Sequence, residues 1–380
     1  MRLIHLSDLH FGKQLHGFSL LDDQRYIWDE ICQIIQDEQP DAVILAGDIY
    51  DKSVASAEAV QLFDQCLSKL SELTPAILMI SGNHDSPERI AFGAKLMEAS
   101  HVYISPVFRG EIDPVILHDD YGEVRFYLLP FVRPAQVRVC FPEEEIRDYQ
   151  DAMRVILAHT PLDTSIRNVM VTHQTILDAE LSGTEDRPIG GLDQIDGSLF
   201  APFDYTALGH IHQAQAVGKE TIRYSGSPLK YSISEVKYKK TITIVELLEK
   251  GNVQVREVPL HPRHDLREIR GSYAELTARE NYIHTQTEDY LHVTLTDETD
   301  IPDAISRLRS IYPNLLKLDY DNLRTREHQE VTTVDETAEE DPFKMFATLY
   351  EQQNNQPMLP EQAAFMQKLI AEIWDGEEDI

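Results

Sequence analysis

Arg2-Leu3-Ile4-His5-Leu6-Ser7-Asp8-Leu9-His10 is an apolar run that ends on a carboxylate and an imidazole two residues apart. The same grammar recurs four times downstream. Ala42-Val43-Ile44-Leu45-Ala46 runs into Gly47-Asp48, and Ala76-Ile77-Leu78-Met79-Ile80 runs into Gly82-Asn83-His84-Asp85. Asn168-Val169-Met170-Val171 leads to Thr172-His173-Gln174, and Tyr205-Thr206-Ala207-Leu208 leads to Gly209-His210-Ile211-His212. Short apolar runs of this length read as buried strands. In open α/β sheets ligands collect beyond the carboxyl ends of the strands, so five such ends are expected to converge on one pocket.

The chemistry of that pocket follows from its residue types. Two neighbouring divalent ions need a bridging oxygen, hard carboxylates and neutral imidazoles. Asp8 and His10 leave one strand end together and can serve one ion, and Asp48, after a glycine that lets the backbone turn, is the natural bridge. Asn83 offers a carbonyl oxygen. His210 and His212 can serve one ion each, and His173 completes the set. Oxygen and imidazole without thiolate favour manganese, with iron, zinc or magnesium as alternatives. His159 also follows an apolar run, Val155-Ile156-Leu157-Ala158, but residues 143–158 read better as a helix halted near Pro161, so His173 is preferred.

At 380 residues the chain is expected to form two or three domains. Residues 1 to about 260 alternate strands with helices, notably 22–37 and 55–73, each followed by a proline (Pro40, Pro75). This rhythm predicts a layered α/β domain over residues 1–262. The runs at 221–224, 241–245 and 253–255 alternate more clearly and are expected as antiparallel strands completing a second sheet. Beyond Pro262, a possible capping box (Ser272, Glu275), a strand at 290–295, a helix at 302–312 and a strand at 315–318 predict a small α+β domain, 266–323. Residues 324–341 read as an acidic linker. Residues 342–376 read as two helices, the second showing Phe365, Met366, Leu369, Ile370 and Ile373 on one face. Helices so short cannot bury their own apolar faces, and docking on another protein is favoured over folding back.

Charge sets the hard constraint. Sixty-five acids against 34 lysines and arginines leave a net charge of −31. Phosphate backbones favour proteins that present cations, so a nucleic-acid substrate requires a local patch, the metals or a partner. No apolar run approaches a membrane span, and Met1 leads into a strand without the opening of an export signal. Three scattered cysteines (Cys32, Cys66, Cys140) form neither a disulfide framework nor a zinc spacing. A reducing cytoplasm is expected.

The motifs, with Gly47-Asp48-Ile49-Tyr50-Asp51 and Tyr224-Ser225-Gly226-Ser227-Pro228, resemble the calcineurin-like metallophosphoesterases, and more closely the SbcD nuclease subunits within them. The resemblance covers nearly the whole chain. It implies a two-sheet sandwich flanked by helices, with a small α+β capping domain and a C-terminal helical hairpin. It also implies that Asp8, His10, Asp48 and His212 bind a first ion, and that Asp48, Asn83, His173 and His210 bind a second. His84 would contact the scissile phosphate and stabilise or protonate the leaving oxygen, with Asp85 orienting it. A metal-bridging hydroxide would attack phosphorus in line. Some relatives carry a second catalytic histidine where this chain has Asp51, which leaves that role open.

The activity implied is an Mn2+-dependent 3′-to-5′ exonuclease and endonuclease on DNA, acting with an SbcC-type coiled-coil ATPase as a homodimer within a heterotetramer. This chain lacks a Gly-x-x-x-x-Gly-Lys-Ser/Thr loop, so ATP use must come from the partner. The alternative is a stand-alone phosphodiesterase or phosphatase on nucleotides or phosphoproteins, which suits the acidic charge but leaves the extra domain and tail without a purpose. A non-catalytic scaffold would have no use for an intact His84. His16 is a candidate substrate contact only through its closeness to the first motif.

Overall fold

The computed structural model describes residues 1–180, 194–323, 325, 343, 346, 347, 350 and 358–375. Two six-stranded sheets stack face to face. Edge to edge, the first runs Val253–Pro259, Thr241–Leu247, Arg2–Leu6, Ala42–Ala46, Ile77–Ile80 and Val102–Ile104. The last four of these are mutually parallel, as β-α-β crossovers demand. The second sheet runs Gln215–Val217, Lys219–Tyr224, Tyr205–Gly209, Arg167–His173, Gly122–Leu129 and Val115–Asp119.

The central strands have no exposed residue, because each is covered on both faces. Leu3, Ile44, Leu78, Val171, Tyr205 and Val245 fill the space between the sheets. Helices Leu21–Glu38 and Ala57–Leu73 cover the outer face of the first sheet. Ile27, Ile31 and Ile35, at helical spacing, turn inward there, each burial stabilising by about 2 kcal/mol. The first helix stops where Gln39 turns left-handed (φ 48°) and returns its N–H to Ile35, just ahead of Pro40. The second starts at Ser56, whose side chain accepts the Ala59 N–H. Helix Tyr149–His159 covers the other sheet.

The expected antiparallel group at 221–224, 241–245 and 253–255 does not form one sheet. Thr241–Leu247 and Val253–Pro259 extend the first sheet beside Arg2–Leu6, whereas Lys219–Tyr224 lies parallel to Tyr205–Gly209 in the second. Alternating runs do not report which sheet a strand joins. The helix expected over 143–158 is shorter, with a separate turn of helix at Pro134–Cys140.

Residues 266–320 add a parallel three-stranded sheet, Leu266–Gly271, Tyr290–Leu295 and Leu315–Tyr320, with its own core of Leu291, Val293, Leu295, Leu308 and Leu315. The Ser272–Glu275 capping box is formed. This sheet belongs to one compact unit with the sandwich. Leu266, Tyr290 and Leu316 pack into the first core, and the Tyr290 hydroxyl donates to buried Asp23 at 2.8 Å. In the separate unit that follows Tyr320, helix Pro360–Asp375 carries Phe365 and Leu369 exposed, and the Tyr350 hydroxyl reaches Gln362. All of the acidic linker except Thr325, and most of the first tail helix, lie outside the described residues. No described helix is long and apolar enough to cross a membrane.

Candidate metal centre

The five strand ends do meet, at one edge of the sandwich, three from the first sheet and two from the second. Their loops are laced together by backbone bonds: Asp8 N–H to Gly47 O at 3.0 Å, and His10 N–H to Asp48 O at 2.9 Å. The His210 N–H donates to the Asp8 carboxylate at 3.0 Å, joining the two sheets. Such close crossing requires glycine. A Cβ on Gly209 would stand 2.0 Å from the Ala46 carbonyl oxygen and 2.6 Å from His173 Nδ1. The turns are also strained. Asp8, His10, Asp48 and His210 hold φ values of 53°, 46°, 50° and 98°, a region that non-glycine residues occupy at a cost and mostly at functional sites.

The ring and carboxylate atoms face inward on one another. His173 Nε2 lies 3.2 Å from Asp48 Oδ2 and 3.0 Å from Asn83 Oδ1. His210 Nδ1 lies 2.9 Å from the same Asn83 oxygen, and His10 Nε2 is 3.6 Å from Asp48 Oδ2. His10 and His212 meet through their Nε2 atoms at 3.1 Å. Asp8, His10 and His212 form one group with every donor atom within 4.8 Å, and Asp8, Asp48 and His173 form another.

These contacts test whether the donor set fits cations. His173 Nδ1 sits 2.8 Å from the Ala46 carbonyl, which can only accept, so Nδ1 carries a proton. A neutral His173 then aims a lone pair at two oxygen acceptors, a repulsive arrangement unless a cation or a proton lies between. In the bare protein a proton takes that place. Burial opposes charge on His173, but Asp48 and Asp8 push it up to about 9. Burial likewise opposes charge on Asp48, yet His173, His10 and His84 hold it well below the usual carboxylate range. Burial raises Asp8 and drives His10 well below its ordinary value. Buried His10 Nδ1 has no hydrogen-bond partner among the described residues. Carboxylates, an amide oxygen and imidazoles arranged in this way fit divalent cations.

His84 stands at the rim. Its N–H donates to Asp48 Oδ1 at 2.8 Å, its ring meets His10 edge-on, and its Nδ1 lies 2.9 Å from the Asp51 carbonyl. Together with His10 and Asp48 it forms a third close group. The expected pairing of Asp85 with His84 is not what the structure places there. Asp85 accepts three backbone N–H groups, from Ile49, Tyr50 and Gly82 at 2.9–3.0 Å, and clamps the second motif to the third. Burial and Asp48 push it up to about 6, although those three donors work the other way. Asp51 acts on His84 through its backbone, while its carboxylate takes Lys13 at 2.8 Å.

His159 sits at the end of its helix, bonded to Val155 O and packed on Phe141, and is not in the cluster. His16 lies exposed at the turn between Gln14–Leu15 and Phe18–Ser19. Sequence reasoning missed two features. Phe131 packs against His173 and His210, with the Arg133 guanidinium over its ring at 5.8 Å. Buried Glu235 holds His212. Neither sits in a motif or a periodic run, so nothing local could have flagged them.

Residues 1–214 match a family model described as calcineurin-like phosphoesterase, and residues 262–354 match one described as type 5 capsule protein repressor C-terminal domain. A Staphylococcus epidermidis protein, named as the SbcD component of the SbcCD nuclease, is 33% identical over 99% of this chain and 100% of its own length. A Staphylococcus saprophyticus protein of the same name is 37% identical over 84% of each chain. A solved dimetal phosphatase from Danio rerio aligns with 69% of this chain and 98% of its own at a TM-score of 0.42 and 9% identity, too distant for any argument.

Proposed function

The chain belongs to the SbcD family of calcineurin-like phosphoesterases, and from that premise we propose that it is a metal-dependent DNA nuclease working with an SbcC-type coiled-coil ATPase. It hydrolyses phosphodiesters as a 3′-to-5′ exonuclease and an endonuclease, in DNA end processing, repair and recombination. One observation carries the site: His173, its Nδ1 proton committed to Ala46, turns Nε2 on the acceptor oxygens of Asp48 and Asn83.

Asp8, His10, Asp48 and His212 hold the first cation; Asp48, Asn83, His173 and His210 hold the second. Oxygen and imidazole donors without thiolate suit Mn2+. Bound there, divalent cations supply a nucleophile at neutral pH and neutralise charge on the phosphoryl oxygens. The chain's own residues do the rest. His84, its Nδ1–H against the Asp51 carbonyl, turns Nε2 to the scissile phosphate; as the imidazolium it passes the Nε2 proton to the leaving oxygen and is left neutral. Asp85 keeps the His84 loop in register. Arg133 has no ion pair among the described residues and lies beside the centre, where it grips a neighbouring phosphate.

The division of labour answers the −31 charge: the partner grips DNA and consumes ATP, and this chain cuts. Residues 1–262 form the nuclease domain and 266–323 cap it. Beyond the linker, the tail 342–376 docks on the ATPase through an apolar face that includes exposed Phe365 and Leu369. A second copy joins through the segment after His84, where Phe92 and Leu96 are each 83% exposed. Free Cys32, Cys66 and Cys140 suit a reducing cytoplasm.

The test is purified full-length protein with Mn2+, offered linear and hairpin duplex DNA beside a chromogenic phosphodiester, with and without the ATPase. ATP-stimulated DNA cleavage is expected. Hydrolysis of the small ester with none of either DNA would overturn the nuclease assignment.

A further inference from the structure

Glu235 has no exposed surface, and it belongs to none of the metal-binding motifs. The single turn Ile233–Glu235 starts at Ser232, whose side chain accepts the Ser234 N–H. The turn sends the carboxylate inward, Oε1 to His212 Nδ1 at 3.0 Å and Oε2 to Lys240 Nζ at 2.6 Å. Lys240 also donates to the His212 carbonyl at 2.9 Å and to Ser227 Oγ at 2.8 Å. The Ser227 N–H closes on that same carbonyl at 3.1 Å. One network therefore holds His212 by its ring and by its backbone.

Burying a carboxylate is costly unless it is paired, and among the described residues Lys240 supplies an opposite charge at 2.6 Å. Placing the other oxygen on His212 has a separate chemical consequence. A carboxylate only accepts, so Nδ1 carries a proton, and in the neutral ring the lone pair is on Nε2, which faces His10 Nε2 at 3.1 Å. Partners of this kind set the tautomer and orientation of ligating imidazoles.

We propose that Glu235 is a positioning residue of the centre, fixing His212 in the Nδ1-protonated tautomer so that Nε2 faces the first cation, with Lys240 bracing the carboxylate. The proposal rests on His212 being a ligand, and a structural clip joining the 225–240 segment to the sheet is the competing account.

The experiment titrates metal-free, full-length protein with Mn2+ by calorimetry in the wild type, Glu235→Gln, His212→Gln and the double variant. His212→Gln should weaken one of two sites. Glu235→Gln should weaken that same site by about 10- to 100-fold, spare the other, and add little in the double variant. Its metal-free Tm should stay near the wild-type value. If His212→Gln weakens one site while Glu235→Gln weakens neither, or both equally, Glu235 is only a clip. If His212→Gln leaves both ions bound, the ligand reading itself fails. Should Glu235→Gln not fold, imidazole 15N spectra of the zinc-loaded wild type decide the matter: a proton on His212 Nδ1 upholds the proposal, and one on Nε2 overturns it.

Discussion

His10 and His212, 202 residues apart, point their Nε2 atoms at each other across 3.1 Å. Two imidazoles in that position share one proton at best, and both lie next to buried carboxylates. Divalent ions relieve the crowding, so Mn2+ should stabilise the protein strongly. At a hundred times Kd the gain is about 2.7 kcal/mol per site, read as a rise in Tm that a chelator reverses. Because Asp48 faces both His10 and His173, Asp48→Asn should weaken both sites, whereas His10→Gln should weaken one. Equal effects of the two variants would end the idea of a shared bridge.

His84 is close enough to His10 and Asp48 to share a cation with them. Its partly buried place at the rim, open to solvent protons, suits a proton donor better. His84→Ala should lower kcat by about 10²- to 10⁴-fold while metal content by elemental analysis stays at the wild-type level. Loss of an ion in that variant would make His84 a ligand instead.

Each strand end at the centre was legible because an apolar run followed by glycine or by a carboxylate and imidazole is a local signal. The Asp8–His10 and His210–His212 spacings also showed which side chains leave one strand end together. What escaped the sequence depends on contacts between distant segments. Asp85 looked like a partner for His84 beside it, yet backbone N–H groups from Ile49 and Tyr50, some 35 residues away, claim its carboxylate. Backbone donors carry no residue code, so no composition reveals them. Glu235 reaches His212 across 23 residues and a change of direction. The edge strand Val115–Asp119 was missed for a different reason: its apolar run, Val115-Ile116-Leu117, is short and half-covered and gives way at once to His118 and Asp119.

Gly209 tests how tightly the two sheets must approach. A methyl group there meets the Ala46 carbonyl oxygen at 2.0 Å, and backbone cannot swing aside as a long side chain can. Gly209→Ala should cost about 3 kcal/mol, the upper end for overpacking, and should displace His173 as well. Thermal unfolding and Mn2+ titration should both register the change. An unaltered Tm would mean that the strand ends can separate without penalty.

Far from the metals, Asp119 sets an acid limit on the fold. Burial works against its charge, but Arg167, the Met1 ammonium and the Tyr121 N–H hold it well below the ordinary 3.8. A depressed folded-state pKa adds stability that is fully present above 3.8 and is lost as pH falls below it. Asp119→Asn leaves Arg167 buried without its partner and should cost about 3 kcal/mol at pH 7. The gap in Tm between variant and wild type should narrow in acid. A gap that stays constant down to pH 2 would assign the loss to packing rather than charge.

Arg133 gives the nucleic-acid reading its sharpest check. The chain carries 65 acids, so its mean field opposes a polyanion and any useful cation must act locally. Arg133 sits over Phe131, whose ring packs on His173 and His210, and no carboxylate among the described residues neutralises it. A phosphate one step along the backbone from the scissile bond is the natural partner. Arg133→Ala should raise KM for duplex DNA and reduce the slope of log affinity against log salt by about 1. A chromogenic phosphodiester has no neighbouring phosphate, so its KM should hardly move. Equal damage to both substrates would place Arg133 in support of the metal ligands, acting through Phe131, and not on DNA.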